Sequence, residues 1–116
     1  MLQSDKQWLF LQDVAKLIAY AKERGYKLTG GELYRTEYQQ REYVRQGLSR
    51  TEDSMHPERL AIDLNVFVKD ADGYQLTSDY GKLSDLGEYW EGLSPQNRWG
   101  GNFKSLYDPH HFERRI

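Results

Sequence analysis

Three side chains pose the chemical question: His56, Asp63 and His111. His56 stands before Pro57 at the entry to the most regular apolar-alternating run of the chain. Asp63 lies inside that run, and His111 follows Asp108-Pro109-His110 near the C-terminus. Two neutral imidazoles and one carboxylate, with a fourth position left open, make the donor set of a catalytic zinc site. Zinc in such a site polarises a scissile carbonyl and lowers the pKa of water. A general base is also needed, and Asp108 is placed to be one. Pro109 suits the first position of a helical turn, and in such a turn residues three apart share a face. Asp108 can then reach the attacking water without binding the metal. By residue type alone the same groups also fit hydrogen-bonded surface positions. A His and an Asp seven residues apart are not a specific signal by themselves.

Composition narrows the choice of donors. The chain contains no cysteine and three histidines, so a metal must be bound through nitrogen and oxygen, and thiol nucleophiles are excluded. A net charge of -2 and a pI near 5.9 leave no basic footprint for nucleic acid. No apolar run is long enough to cross a bilayer, so no membrane insertion is expected. At 116 residues the chain has room for one domain, expected to span 1–116, and a monomer is expected.

The elements that must position these groups follow from periodicity and punctuation. Residues 4–24 read as an amphipathic helix, with Ser4 and Gln7 as a capping box, Leu11, Val14, Ala15 and Ile18 at helical spacing, and Gly25 as the stop. A strand with a bulge or turn at Gly30-Gly31 is expected between Tyr26 and Tyr34, then a short polar helix from Thr36 to Gly47 and a loop over 49–58. Leu60 to Val68 alternates as a strand. Ile62, Leu64, Val66 and Val68 fall on one face, and Ala61, Asp63, Asn65 and Phe67 on the other. A turn at Asp70–Gly73 returns Tyr74–Thr77 as its hairpin partner. Ser78–Leu93 reads as a further helix, stopped at Ser94-Pro95, and the tail as short extended pieces. The fold class expected is α+β: a mostly antiparallel central sheet flanked by helices.

Three segments together resemble a known family. Ser54-Met55-His56-Pro57-Glu58-Arg59-Leu60-Ala61-Ile62-Asp63 resembles the Ser-x-His-x-x-Gly-x-Ala-x-Asp signature of the zinc D-alanyl-D-alanine carboxypeptidases. That family includes vancomycin-resistance peptidases and phage L-alanyl-D-glutamate endopeptidases. Asp108-x-x-His111-Phe112 is similar to its second signature, and Tyr34-Arg35-Thr36 with Gln40 to its substrate-binding segment. The resemblance covers roughly residues 30–113. It implies zinc held by His56, Asp63 and His111, Asp108 as general base, and Arg35 and Ser54 as contacts to a substrate carboxylate or the developing oxyanion. Arg59 departs from the family's Gly, so the loop there is expected to be built differently. His110 is expected to play a surface or supporting role rather than to bind metal. Trp90 and Trp99 are expected in the core or the cleft wall.

Asp at 108, where many carboxypeptidases have Glu, resembles the phage endopeptidase branch, as do Trp90-Glu91-Gly92-Leu93 and Arg98-Trp99-Gly100-Gly101-Asn102-Phe103. The expected function is therefore that of a phage endolysin cutting the L-Ala–D-Glu bond of peptidoglycan stem peptides. The N-terminus lacks the layout of a secretory signal, which fits synthesis in a bacterial host cytoplasm and action on the wall after release. The alternatives are a D-Ala-D-Ala carboxypeptidase or dipeptidase and a non-catalytic zinc-stabilised binding module. Asp108 argues against the last, because a structural site needs no base. Since both imidazoles must be deprotonated to bind metal, affinity is expected to fall below about pH 6.

Overall fold

Helix α1 (Gln3–Glu23) of the computed structural model turns Phe10, Val14, Leu17 and Ala21 into the core. The structure describes residues 1–31 and 60–115. The spacing of those four is helical, yet the buried stripe is not the one expected, for Leu11 and Ile18 are exposed. The two stripes lie side by side on α1, so periodicity alone does not choose between them. Packing does: the Phe10 ring meets Trp90 edge-on at 5.7 Å and 86°. The N-terminal cap also differs. The Asp5 carboxylate accepts the Leu2 N–H at 3.2 Å, and Ser4 lies inside the helix. At the other end Gly25 adopts φ +84°, a backbone conformation open to glycine, and the chain reverses into β1 (Lys27–Gly30).

Strand β2 (Ala61–Asp70) organises the sheet. It pairs antiparallel with β1, with β3 (Gly73–Leu76) and with β5 (His111–Arg114), and β5 pairs antiparallel with β4 (Asn97–Trp99). Phe67 has partners in both β1 and β3, so these flank β2 on opposite edges. Strand β5 also lies across β2 from β1 and shares an edge with β3, taking the end near Ala61. The turn into β3 is closed by the Asp70 carboxylate, which accepts the Asp72 N–H at 2.8 Å. Helix α2 (Tyr80–Leu93) starts two residues later than expected because Asp79 caps it, accepting from Gly81 N–H at 3.3 Å. A 3₁₀ turn (Gly100–Asn102) follows β4.

Alternation along β2 and β5 separates two faces. Leu64, Val66 and Phe112 pack with Leu17, Leu83, Leu86 and Trp90 from the helices. Asp63 and His111 stand on the other face. Trp90 links the two layers. Its ring meets Phe112 edge-on at 5.9 Å, and its indole N–H lies 3.1 Å from both the Arg98 and Glu113 carbonyls. The buried tryptophan of α2 thereby pins β4 and β5 at the point where β5 carries the candidate chemistry. The chain is an α+β domain with antiparallel pairing throughout the described strands. The expected Thr36–Gly47 helix, the 49–58 loop and the end of the first strand lie outside the described residues.

Candidate active site

Asp63 and His111 are direct cross-strand partners between β2 and β5. The Leu64 N–H donates to the His110 carbonyl at 2.8 Å, and the Arg114 N–H to that of Leu60 at 2.9 Å. These bonds put the hydrogen-bonded pairs on either side, so Asp63 and His111 form a non-hydrogen-bonded pair, the kind whose side chains come closest. His111 Nδ1 lies 3.1 Å from Asp63 Oδ1. Two residues along β5, Glu113 shares that face, and its Oε1 lies 2.6 Å from His111 Nε2. The other Glu113 oxygen accepts from Arg115 Nε. The Phe103 ring lies beside the imidazole, 5.7 Å between centroids.

Asp108 arrives on a turn. The His111 N–H donates to the Asp108 carbonyl at 3.1 Å, with Pro109 and His110 between them. This is a reverse turn leading into β5 rather than the helical turn expected, and Pro109 at its second position has the φ such a turn requires. Either geometry brings residues 108 and 111 together. One donor atom each from Asp63, Asp108 and His111 lie within 4.8 Å of one another. The turn is anchored from β4: the buried Trp99 donates its indole N–H to the Pro109 carbonyl at 2.8 Å, and the Asp108 N–H donates to Gly100 at 3.0 Å.

This anchoring depends on close approach. A Cβ at Gly100 would stand 2.0 Å from the Asp108 carbonyl oxygen and 3.0 Å from His111 Cβ, and one at Gly87 on α2 would stand 2.0 Å from the Trp99 ring. Because the Gly100 clash is with backbone, no rotamer relieves it and the Asp108 turn must move. Gly100→Ala is therefore expected to cost about 1–3 kcal/mol of stability, as overpacking does. It should also weaken metal binding by roughly tenfold or more through the displaced donors. Thermal melts and chelator competition measure both, and wild-type values in each would show that the turn is held by something else.

Burial opposes a charged His111, but its hydrogen bonds to Asp63 and Glu113 outweigh that and raise its pKa to about 9. Burial likewise pushes the Glu113 carboxyl up, yet the hydrogen bond from His111 prevails and holds it below the usual range. An imidazolium thus sits where negative charge converges. A cation would meet the same charge there, with two carboxylates and an imidazole as oxygen and nitrogen donors, a set that suits zinc. The described residues fit the metal.

A family model described as D-alanyl-D-alanine carboxypeptidase matches residues 48–114, more than half of the chain. The chain belongs to that family. It is a family of peptidases, and the matched span includes His56, Asp63, Asp108 and His111. No curated protein matches the chain in sequence. Among solved structures, the Serratia marcescens L-Ala D-Glu endopeptidase ChiX has a similar fold, with a TM-score of 0.69 over 90% of this chain and 77% of that one. At 22% identity, that likeness concerns the fold.

Of the residues singled out in this peptidase from sequence, the fold brings Asp63, Asp108 and His111 together. Arg35, Ser54, His56 and Arg59 lie outside the described residues. His110 is turned away: its Nε2 lies 2.8 Å from the Thr77 carbonyl, where β3 ends. Trp90 and Trp99 are core residues. Sequence reasoning passed over Glu113. Its signal was available, since a carboxylate two residues beyond a strand histidine must share that histidine's face.

Proposed function

We propose that this peptidase is a zinc-dependent peptidoglycan endopeptidase of the phage endolysin type, cutting the L-Ala–D-Glu bond of stem peptides. The observation that carries the reading is the convergence of Asp63, Asp108 and His111, donors within 4.8 Å of one another, in a chain of this family. In this reading Asp63 and His111, with His56, hold the ion. A bound zinc supplies Lewis-acid polarisation of the scissile carbonyl and acidification of water. Asp108 takes the proton of the attacking water and returns it to the leaving amine. The Trp99 anchor on Pro109 keeps that carboxylate beside the donors. Arg35 and Ser54 are assigned to the substrate carboxylate and the oxyanion, where a guanidinium offers paired hydrogen bonds.

The choice of bond draws on Asp rather than Glu at 108 and on the phage-like Trp and Gly segments. The Serratia marcescens protein of similar fold is an L-Ala D-Glu endopeptidase, which agrees with it. A second reading, cleavage of terminal D-Ala, is favoured by the description of the matching family model. Digestion of isolated sacculi followed by mass spectrometry separates them. The expected product is a stem peptide with a new N-terminal D-Glu, abolished by chelator and restored by zinc. Release of free D-Ala alone, with stems still joined through L-Ala–D-Glu, would assign the chain to the carboxypeptidases.

A further inference from the structure

We infer that Glu113 is a positioning residue for the metal site: it fixes the tautomer of His111, so that Nε2 carries the proton and Nδ1 presents its lone pair beside Asp63. The inference rests on the zinc-peptidase reading and adds to it a residue outside the ligand set and the base.

The geometry leaves the imidazole little choice. Its two nitrogens face two carboxylates, Nδ1 toward Asp63 Oδ1 at 3.1 Å and Nε2 toward Glu113 Oε1 at 2.6 Å. Asp63 and Asp108 both stand among the candidate donors, whereas Glu113 lies beyond the imidazole, outside that group. A metal held with Asp63 must therefore meet Nδ1, and a neutral imidazole bound through Nδ1 has its one proton on Nε2. Glu113 accepts that proton in a short bond. Its side chain is 4% exposed, so water does not compete for the acceptor. Arg115 Nε donates to the second oxygen of Glu113 and holds the carboxylate in orientation. Across the sheet from Glu113 stands Ala61, whose small side chain leaves room for a carboxylate at this buried position. A carboxylate behind a metal-binding imidazole sets its orientation and raises its basicity, and losing one costs about 10–100-fold in metal affinity.

Arg115 makes the role testable. In Glu113→Gln the amide oxygen is drawn to the Arg115 donor, which turns the amide N–H₂ toward His111 Nε2. That nitrogen must then accept, the proton moves to Nδ1, and the lone pair facing Asp63 is lost. Removing Arg115 as well frees the amide to rotate and offer its oxygen to Nε2. Zinc titration against a chromophoric chelator should therefore show Glu113→Gln binding about 10–100-fold more weakly than the parent chain. The double variant Glu113→Gln/Arg115→Ala should recover most of that loss. A merely structural role predicts that the double variant is no better than the single one, and that result would overturn the inference. Long-range ¹⁵N–¹H spectra of the zinc-loaded parent chain need no variant: they should show His111 protonated on Nε2 and bound through Nδ1, and the reverse assignment also overturns it. If the parent chain binds no zinc, the metallopeptidase reading fails and takes this inference with it. If the parent binds zinc and Glu113→Gln binds equally well, only the inference fails.

Discussion

Replacing Asp108 with Ala is expected to lower kcat by about 10²- to 10⁴-fold, the range for loss of a positioned acid–base group, while zinc remains bound. The substitution is informative because the hydrogen bonds that close the turn do not use the Asp108 side chain. Its two turn-closing bonds, from Asp108 N–H to Gly100 and from His111 N–H to the Asp108 carbonyl, are main-chain bonds that Ala retains. What is lost is the carboxylate beside Asp63 and His111. Asp108→Asn should behave like Ala, since an amide matches the shape and cannot take the proton. Single-turnover kinetics on a synthetic stem peptide, with zinc content measured on the same sample, checks both halves. If Asp108→Ala emptied the site and His111→Ala kept its zinc, the roles of ligand and base would be exchanged.

His111→Ala should abolish zinc binding and also destabilise the metal-free protein by about 3–5 kcal/mol, the cost of breaking a buried ion pair. The imidazolium lies between Asp63 and Glu113, with 8% of its side chain exposed, and removing it leaves the buried Glu113 carboxylate held by Arg115 but without the cation on its other oxygen. The pH dependence carries the same signature. The His111 pKa is about 9 in the folded metal-free protein, against about 6.5 for an unfolded chain. A raised folded value stabilises fully below the unfolded pKa and loses its contribution as pH rises through the folded one. The metal-free protein should thus shed roughly 3 kcal/mol between about pH 6.5 and 9, and His111→Ala should be flat across that window in urea unfolding. Zinc competes with the same proton. Its apparent affinity should keep rising toward pH 9, well past the limit near 6 that ordinary imidazoles imply. A wild-type stability profile level from pH 6.5 to 9 would contradict the bridging imidazolium.

Much of the site was legible before folding, because its donors sit in short segments with fixed local geometry. The alternation of β2 put Asp63 opposite the aliphatic row, and the three-residue step from Asp108 to His111 needed only one turn to bring them together. The resemblance of both segments to one peptidase family named the chemistry. Other features depended on contacts between distant parts of the chain. Two apolar stripes on α1 satisfied the same periodicity, and the Phe10–Trp90 contact selected one of them. Trp99 was expected in the core or the cleft wall and is buried there, but that it and Gly100 hold the Asp108 turn depended on β4 lying beside β5.

Composition alone determined that any metal must be held by nitrogen and oxygen, since the chain has no thiol, and the order of its residues determined which few could serve. Tertiary structure decided which nitrogen of His111 faces Asp63, and which carboxylate stands behind the other. The register between β2 and β5 sets both. One residue of slip would turn His111 to the opposite face of the sheet, and no local propensity fixes a pairing between residues 48 positions apart.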